Sequence, residues 1–281
     1  MADKLEDVTI SIFTRGLNLP HTRKCLECIP DNVRTLVFVG DQLFTVRKEN
    51  GVLDIEEKKS IPELAGKGFN FSRDCNITAK YSDTSWTLLL NDDCFLEPDA
   101  IRKMLQRAID TGAKIIGGFL FYPDGKPQSL GLFIIELDLG PFRAKEVLRS
   151  DVGKIVPGAL LLVDTSILRS VKFDEYLDFG YDDADFCYRA RNKGIGIAFA
   201  EDAKATHVVN ASVDSTRVRL KRTISMLKFY KRHPEFINGS ILLVSFYLLY
   251  TATFEIRITL SRYAPGLFGR LKVARNRALR S

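Results

Sequence analysis

Short β-branched apolar runs that stop abruptly at turn formers or acids recur along this chain, and they restrict its fold more than any other feature. Runs at 8–13 (VTISIF), 35–39 (TLVFV), 86–90 (WTLLL), 114–121 (KIIGGFLF) and 158–163 (GALLLV) read as strands. Helical patterns fill the intervals at 20–28, from Pro98 through Ile101, Met104, Leu105 and Ala108, at 165–170, and at 182–193 before Gly194. The turn Pro123-Asp124-Gly125 leads from 114–121 toward a further apolar run at 130–135, a hairpin or a strand pair over a loop. Strands alternating with helices specify a doubly wound α/β sheet, expected to be mostly parallel. Its ligand crevice would lie beyond the carboxyl ends of the strands.

A chain of 281 residues suffices for one large α/β body and an appendage. Its composition, 46% hydrophobic and 27% charged, excludes collagenous, disulfide-scaffold and disordered classes and leaves function to local pattern. Beyond His207 the character changes. Residues 217–232 are basic and carry Leu220, Ile224, Leu227 and Phe229 at near-helical spacing, and His233-Pro234 should end that helix. Residues 241–254 are almost wholly apolar but fall short of the ~20 needed to cross a bilayer. From Glu255 onward one acid faces Arg257, Arg262, Arg270, Lys272, Arg275, Arg277 and Arg280. The expectation is a body over 1–232 and a helical tail over 233–281 that lies on a membrane surface, a helix packed on the core being the alternative. Nucleic acid is not an expected partner, since no zinc-finger spacing, RNP-like box or basic zipper is present.

The charged start, MADKLEDVTISIF, does not read as a secretory signal, so a cytoplasmic chain with reduced thiols is expected. The Cys25/Cys28 pair has no second pair or histidine set and reads as packing rather than a zinc site. The sequons at Asn76, Asn210 and Asn238 then match by composition alone.

Two acidic clusters could do chemistry. Asn91-Asp92-Asp93 follows a strand, where hard oxygens suit Mg2+ or Mn2+ bridging to a diphosphate, although adjacent acids after a strand are often only a solvated turn or a cap. Gly180-Tyr181-Asp182-Asp183-Ala184-Asp185 opens a helix, and Asp185 can pair with Arg189 one turn on. Those acids either complement the helix dipole or supply a general base, and composition does not choose between the two.

Taken together and in this order, the clusters resemble the inverting GT-A glycosyltransferases of family 2, in particular the rhamnosyltransferase-like branch. The resemblance runs over roughly residues 8–234. TLLLNDDCFLEPDAI is similar to the family's strand, DXD-type motif and following helix, and GGFLFYPDGKPQSLGLF to its Pro-Asp-Gly loop. The most specific match is VPGALLLVDTSILRSVKFDEYLDFGYDDADFCYRARNKG, which resembles the long signature ending in Glu/Asp-Asp-x-Asp and Tyr-Arg. The resemblance implies a Rossmann-like nucleotide-diphospho-sugar transferase fold over 1–232 with a C-terminal helical extension. It also implies an Mn2+ or Mg2+ cofactor and a nucleotide-sugar donor, while the apolar and basic tail suggests a glycan or lipid-linked acceptor on the cytoplasmic face of a membrane.

Carried over by position, Asp183 matches the base toward the acceptor, with Asp182 its neighbour in the motif. Asp93 matches the last acid of the DXD-type motif, and His207, in ATHVVNAS, matches a histidine after the final strand that joins the metal or the diphosphate. Asp41 in FVGDQ matches the acid at the nucleotide base, and Arg73 and Asn76 in NFSRDCN match an Arg-Asn donor loop. Two positions depart from the family. Thr14-Arg15 stands where an aromatic-Asn pair is common, and Asn91 replaces the first DXD acid, which leaves Asp93 to hold the metal and Asp92 to orient it or bind ribose.

Rival readings lack company in the sequence. Asp178-Phe179-Gly180 spells a kinase tripeptide without a Gly-rich loop or His-Arg-Asp loop, and a nucleotidyltransferase would need a glycine-rich opening after the first strand. The non-enzyme alternative is a membrane-peripheral nucleotide-sugar-binding protein of the same fold without turnover.

Overall fold

The computed structural model describes residues 5–129, the backbone of 134–139 and 142–147, residues 155–177 and 180–208, and positions 224, 225, 228, 229 and 231–233. The tail at 241–281, most of the run at 130–135, Asp178-Phe179, and the sequons at Asn210 and Asn238 lie outside the described residues. Among the described residues no helix is long and apolar enough to cross a membrane.

In chain order the elements are β1 (Val8–Thr14), α1 (Pro20–Glu27), β2 (Arg34–Val39), β3 (Gln42–Glu49), β4 (Val52–Ser60), α2 (Phe71–Tyr81), β5 (Trp86–Asn91), β6 (Cys94–Leu96) and α3 (Ala100–Thr111). There follow β7 (Ile115–Phe121), β8 (Pro127–Ser129), β9 (Ile134–Leu139), β10 (Phe142–Val147), β11 (Leu160–Asp164), α4 (Thr165–Val171), α5 (Asp182–Asn192) and β12 (Ile197–His207). The main sheet has the order β4-β3-β2-β1-β5-β11-β7-β12-β6, with β8 added to β7, while β9 and β10 pair as a separate ribbon.

β1, β2, β5, β7 and β12 all run the same way, as the apolar runs predict for a doubly wound sheet. The sheet is nevertheless mixed. β11 sits between β5 and β7 and is antiparallel to both, and β3, β4, β6 and β8 also join antiparallel. Strand periodicity reports burial and not direction, so the reversal was not readable from the runs.

Side chains alternate across this sheet to build two cores. Ile10, Ile12, Leu88, Leu90, Leu160 and Leu162 face α1 and α3, where Leu26, Ile101, Met104 and Ala108 cover them. Leu36, Leu89, Leu161 and Val163 face α2, α4 and α5, where Ile77, Leu168, Phe186 and Ala190 close the layer. Hydroxyl pairs satisfy the polar positions on this second side: Ser11 Oγ with Thr78 Oγ1 at 2.7 Å and Thr87 Oγ1 with Thr165 Oγ1 at 2.8 Å.

Three elements differ from the sequence expectation. β3 and β4 form a hairpin over Asn50-Gly51, both with positive φ, as a tight two-residue turn between twisted strands requires. The strand β4 is exposed on both faces and heavily charged, so no alternation announced it. Residues 71–81, where the resemblance implies an Arg-Asn donor loop, are the helix α2, whose cap Asn70 accepts from Arg73 N–H at 2.9 Å. Among the described residues the strand returning from the Pro-Asp-Gly turn is Pro127–Ser129.

Gly117 and Gly118 let β12 close on β7 where its register shifts between Ala200 and Lys204. A Cβ at Gly118 would lie 2.8 Å from the Ala203 carbonyl oxygen and 2.5 Å from Leu160 Cδ2. Gly118→Ala should therefore lower the unfolding free energy by about 2 kcal/mol in urea titration, and an unchanged midpoint would contradict this packing.

Candidate active site

The carboxyl ends of β1, β2 and β5 lie side by side, since Phe13 pairs with Asn91 and Thr14 with Val39. Thr14 and the exposed Arg15 therefore stand next to Asn91, and Asp41 follows the end of β2 in the turn to β3. The Asp41 carboxylate accepts from Gln42 Nε2 at 3.1 Å.

Asp92 and Asp93 turn to different neighbours. Asp92 Oδ2 accepts from Thr22 Oγ1 at 3.2 Å and lies 3.2 Å from His21 Nε2, both in the first turn of α1. Thr22 in turn shares a 2.8 Å hydrogen bond with Thr14, so Thr14, Thr22 and Asp92 form one network. Sequence reasoning missed His21 and Thr22. Their placement just past the first strand, beyond Pro20, was the available signal.

Asp93 is brought to His207 by backbone pairing. Cys94 pairs with His207 across β6 and β12, and Val208 N–H donates to the Asp93 carbonyl at 3.0 Å. His207 Nε2 lies 3.1 Å from Asp93 Oδ1 and 3.3 Å from Asn91 Nδ2, while Nδ1 meets Gln128 Oε1 at 2.7 Å. Gln128 Oε1 can only accept, so Nδ1 carries a proton. The Nε2 lone pair then faces the Asn91 amide nitrogen, with the Asp93 carboxylate oxygen beside it.

That donor set fits a divalent ion. A separation of 3.1 Å suits neighbouring ligands around an ion with bonds of about 2.1 Å, and the mix of carboxylate and imidazole suits Mn2+ or Mg2+ with further oxygens from a diphosphate and water. Among the described residues no group of three or more His, Cys, Asp or Glu side chains is placed to hold a metal ion.

The second cluster begins α5. Asp182 is buried, and that burial, reinforced by the neighbouring Asp183 carboxylate, pushes its carboxyl well above the ordinary range. Asp183 is half-buried, and its Oδ2 accepts from Gly158 N–H at 3.1 Å and its Oδ1 from Ala184 N–H at 2.8 Å. Asp185 pairs with Arg189 as the spacing predicted, with Arg189 Nε donating to Oδ2 at 2.8 Å, and its Oδ1 lies 2.7 Å from His233 Nε2.

The clusters meet through two consecutive residues. Asn91 N–H donates to the Ala159 carbonyl at 3.2 Å, and the residue before Ala159 is the Gly158 that holds Asp183. Arg73 and Asn76 are engaged elsewhere. Arg73 NH2 reaches Asp74 Oδ1 and the Gly68 carbonyl, each at 2.7 Å, and Asn76 exchanges hydrogen bonds of 3.0 and 2.8 Å with the Phe173 backbone. The five cysteines are free, and burial raises the Cys25 thiol further than that of the half-buried Cys28, as expected for packing residues.

A family model described as glycosyltransferase-like family 2 matches residues 59–226, more than half of the chain. No curated protein matches. Among solved structures, the chain is similar to a mannosyltransferase, PcManGT from Pyrobaculum calidifontis, in complex with GDP-Man and Mn2+. The two are 15% identical over 97% of this chain and 80% of that one, at a TM-score of 0.54. TarS from S. aureus is similar at 12% identity over 83% of this chain and 46% of its own, with a TM-score of 0.51. GalNAc-T7 with UDP, GalNAc and Mn2+ is similar at 10% identity over 92% and 58%, also with a TM-score of 0.51. At these identities what is shared is the fold, a GT-A-like α/β sheet. The family match covers β5 to β12, the part of the sheet that brings both acidic clusters together, and the chain belongs to the glycosyltransferase-like family 2.

Proposed function

We propose that this chain transfers a hexosyl or deoxyhexosyl unit from a nucleotide-diphosphate sugar to an acceptor hydroxyl with inversion, as in the rhamnosyltransferase-like branch. The observation that carries the reading is the junction at Gly158 and Ala159, which ties Asp183 and Asn91 to consecutive residues. A base must sit within hydrogen-bonding reach of the acceptor while the leaving group is held on the other side of the anomeric carbon.

In this reading Thr14, Arg15, Asp41, Asn91 and Asp92 contact the donor, and Arg73 and Asn76 shape its far wall through Gly68 and Phe173. Asp93 and His207 would hold Mn2+ or Mg2+, of which Mn2+ is present in the PcManGT and GalNAc-T7 complexes. Such an ion, when bound, neutralises charge developing on the leaving nucleoside diphosphate.

Asp183 takes the proton of the acceptor hydroxyl, whose oxygen attacks the anomeric carbon. The bond from that carbon to the diphosphate oxygen breaks, its electron pair leaves with the diphosphate, and one in-line displacement inverts the centre. Asp182, buried and favouring its protonated form, keeps a second negative charge away from the base. The acceptor is a glycan or lipid-linked glycan, and the tail at 233–281 attaches the catalytic body at 1–232 to the cytoplasmic face of a membrane.

Purified protein with Mn2+ and a panel of UDP-, GDP- and dTDP-sugars should release nucleoside diphosphate from at least one donor. Asp183→Asn should cut that release by about a hundredfold or more. Binding without release across the panel would instead favour an inert nucleotide-sugar-binding protein. The raised Asp182 carboxyl has a stability consequence with a definite sign. A folded-state value above the unfolded value near 4 stabilises the protein in acid, and this stabilisation is lost as pH rises through the folded value. Asp182→Asn cannot ionise, so its unfolding free energy relative to the parent should increase between about pH 5 and about pH 8 in urea titrations, whereas parallel curves would remove the assignment. Deleting 241–281 should abolish co-sedimentation with anionic vesicles, and a truncated chain that still pellets would refute the tail's role.

A further inference from the structure

Tyr181, immediately ahead of the two aspartates, has φ 64° and ψ −4°, a left-handed conformation that a bulky aromatic residue rarely adopts. It sets the direction in which α5 starts, and Asp185 N–H closes the first turn on its carbonyl at 2.9 Å. Something outside α5 must over-determine this geometry.

That constraint comes from a segment far along the chain. Phe229 is 1% exposed and its ring lies 5.5 Å from the Tyr181 ring and 4.8 Å from His233. His233, whose N–H closes a helical turn on the Phe229 carbonyl at 2.9 Å, puts Nε2 2.7 Å from Asp185 Oδ1 and stands edge-on to Tyr188 at 4.9 Å. The other Asp185 oxygen is gripped by Arg189, which also donates to the carbonyls of Val171 at 2.8 Å and Lys172 at 2.7 Å. Arg232 Nε lies 2.9 Å from Asp174 Oδ2 in the same connection. Residues 229–233 therefore touch the residue before Asp182, the residue after Ala184, and the chain that leads into α5.

We propose that Phe229 and His233 are positioning residues for Asp183. They clamp the first turn of α5 so that Asp182 points inward and Asp183 stays on Gly158 at the crevice. The inference rests on the reading of Asp183 as the base for its catalytic consequence, but the clamp itself is a statement about the order of one helical turn.

The test uses the full-length protein and the variants His233→Leu, His233→Gln and Phe229→Leu, with hydrogen–deuterium exchange by mass spectrometry and steady-state release of nucleoside diphosphate. In His233→Leu, amides at 182–187 should exchange at least tenfold faster while those of β5 are unchanged. Turnover should fall at least tenfold with the donor KM within twofold. His233→Gln, which keeps a donor toward Asp185, should recover most of both, and Phe229→Leu, milder in volume, should reproduce the exchange effect. Unchanged exchange at 182–187, or equal acceleration across the whole sheet, would overturn the clamp. If the parent protein turns over no donor in the panel, the base assignment falls while the exchange comparison still decides the clamp.

Discussion

Because β11 runs against β5 and β7, its N-terminal end reaches the edge of the sheet where the neighbouring strands finish, and Gly158 and Ala159 arrive between the two acidic clusters. A parallel strand in that place would carry its C-terminal Asp164 to the crevice and leave Gly158 at the opposite edge. Gly158 is suited to the position by what it lacks. A Cβ there would press to 2.8 Å from the Phe71 ring and come within 3.8 Å of Asp183 Cβ. Phe71 in turn stacks edge-on with Phe13 at the end of β1 and with Phe173 ahead of α5. One bare backbone position thus lets an aromatic cluster and a carboxylate share the same space.

The site concentrates like charge, and its arrangement limits the cost. Asp182 and Asp183 are sequence neighbours, and burial drives the former toward its neutral form, so the pair need not carry two charges in a poorly hydrated place. Asp92 faces His21 and the Thr22 hydroxyl, and Asp93 faces His207, so the acids of the first cluster point to separate partners. Asn91 lowers the charge further. Its amide can present either nitrogen or oxygen by a flip, so it meets His207 Nε2 as a donor here and could offer its oxygen to a cation.

The apolar runs at β1, β2, β5, β7 and β11 were legible because each is buried on both faces, and α1, α3, α4 and α5, but not α2, followed from caps and periodicity. Both acidic clusters could be located, since acids that end a buried strand or begin a helix are conspicuous by position. Their meeting could not be, because it depends on the direction of β11. β4 was hidden by exposed charge on both faces, although Asn50-Gly51 carried a hairpin signal that a reading based on burial passed over. The partners of the clusters, Gln128 on His207 and Gly158 on Asp183, come from loops and strand ends whose register no local pattern sets.

The left-handed turn at Tyr181 also bears on where the working unit of this chain ends. Holding a non-glycine residue there costs on the order of 1–2 kcal/mol, and the geometry persists only if contacts made in no other conformation offset that amount. A buried aromatic pair such as Tyr181 with Phe229 contributes about 0.5–1.5 kcal/mol beyond the area it buries, which is the right size. The hydrogen bond from His233 to a buried carboxylate adds a comparable term, and Asp185, 1% exposed, would be costly to leave with Arg189 alone. Among the described residues the last strand ends at His207, yet the turn that begins α5 is contacted by side chains more than twenty residues later. A fragment stopping at β12 would keep the described strands and both acidic clusters while losing the contacts that hold the start of α5, so the smallest unit able to present Asp183 extends at least through His233.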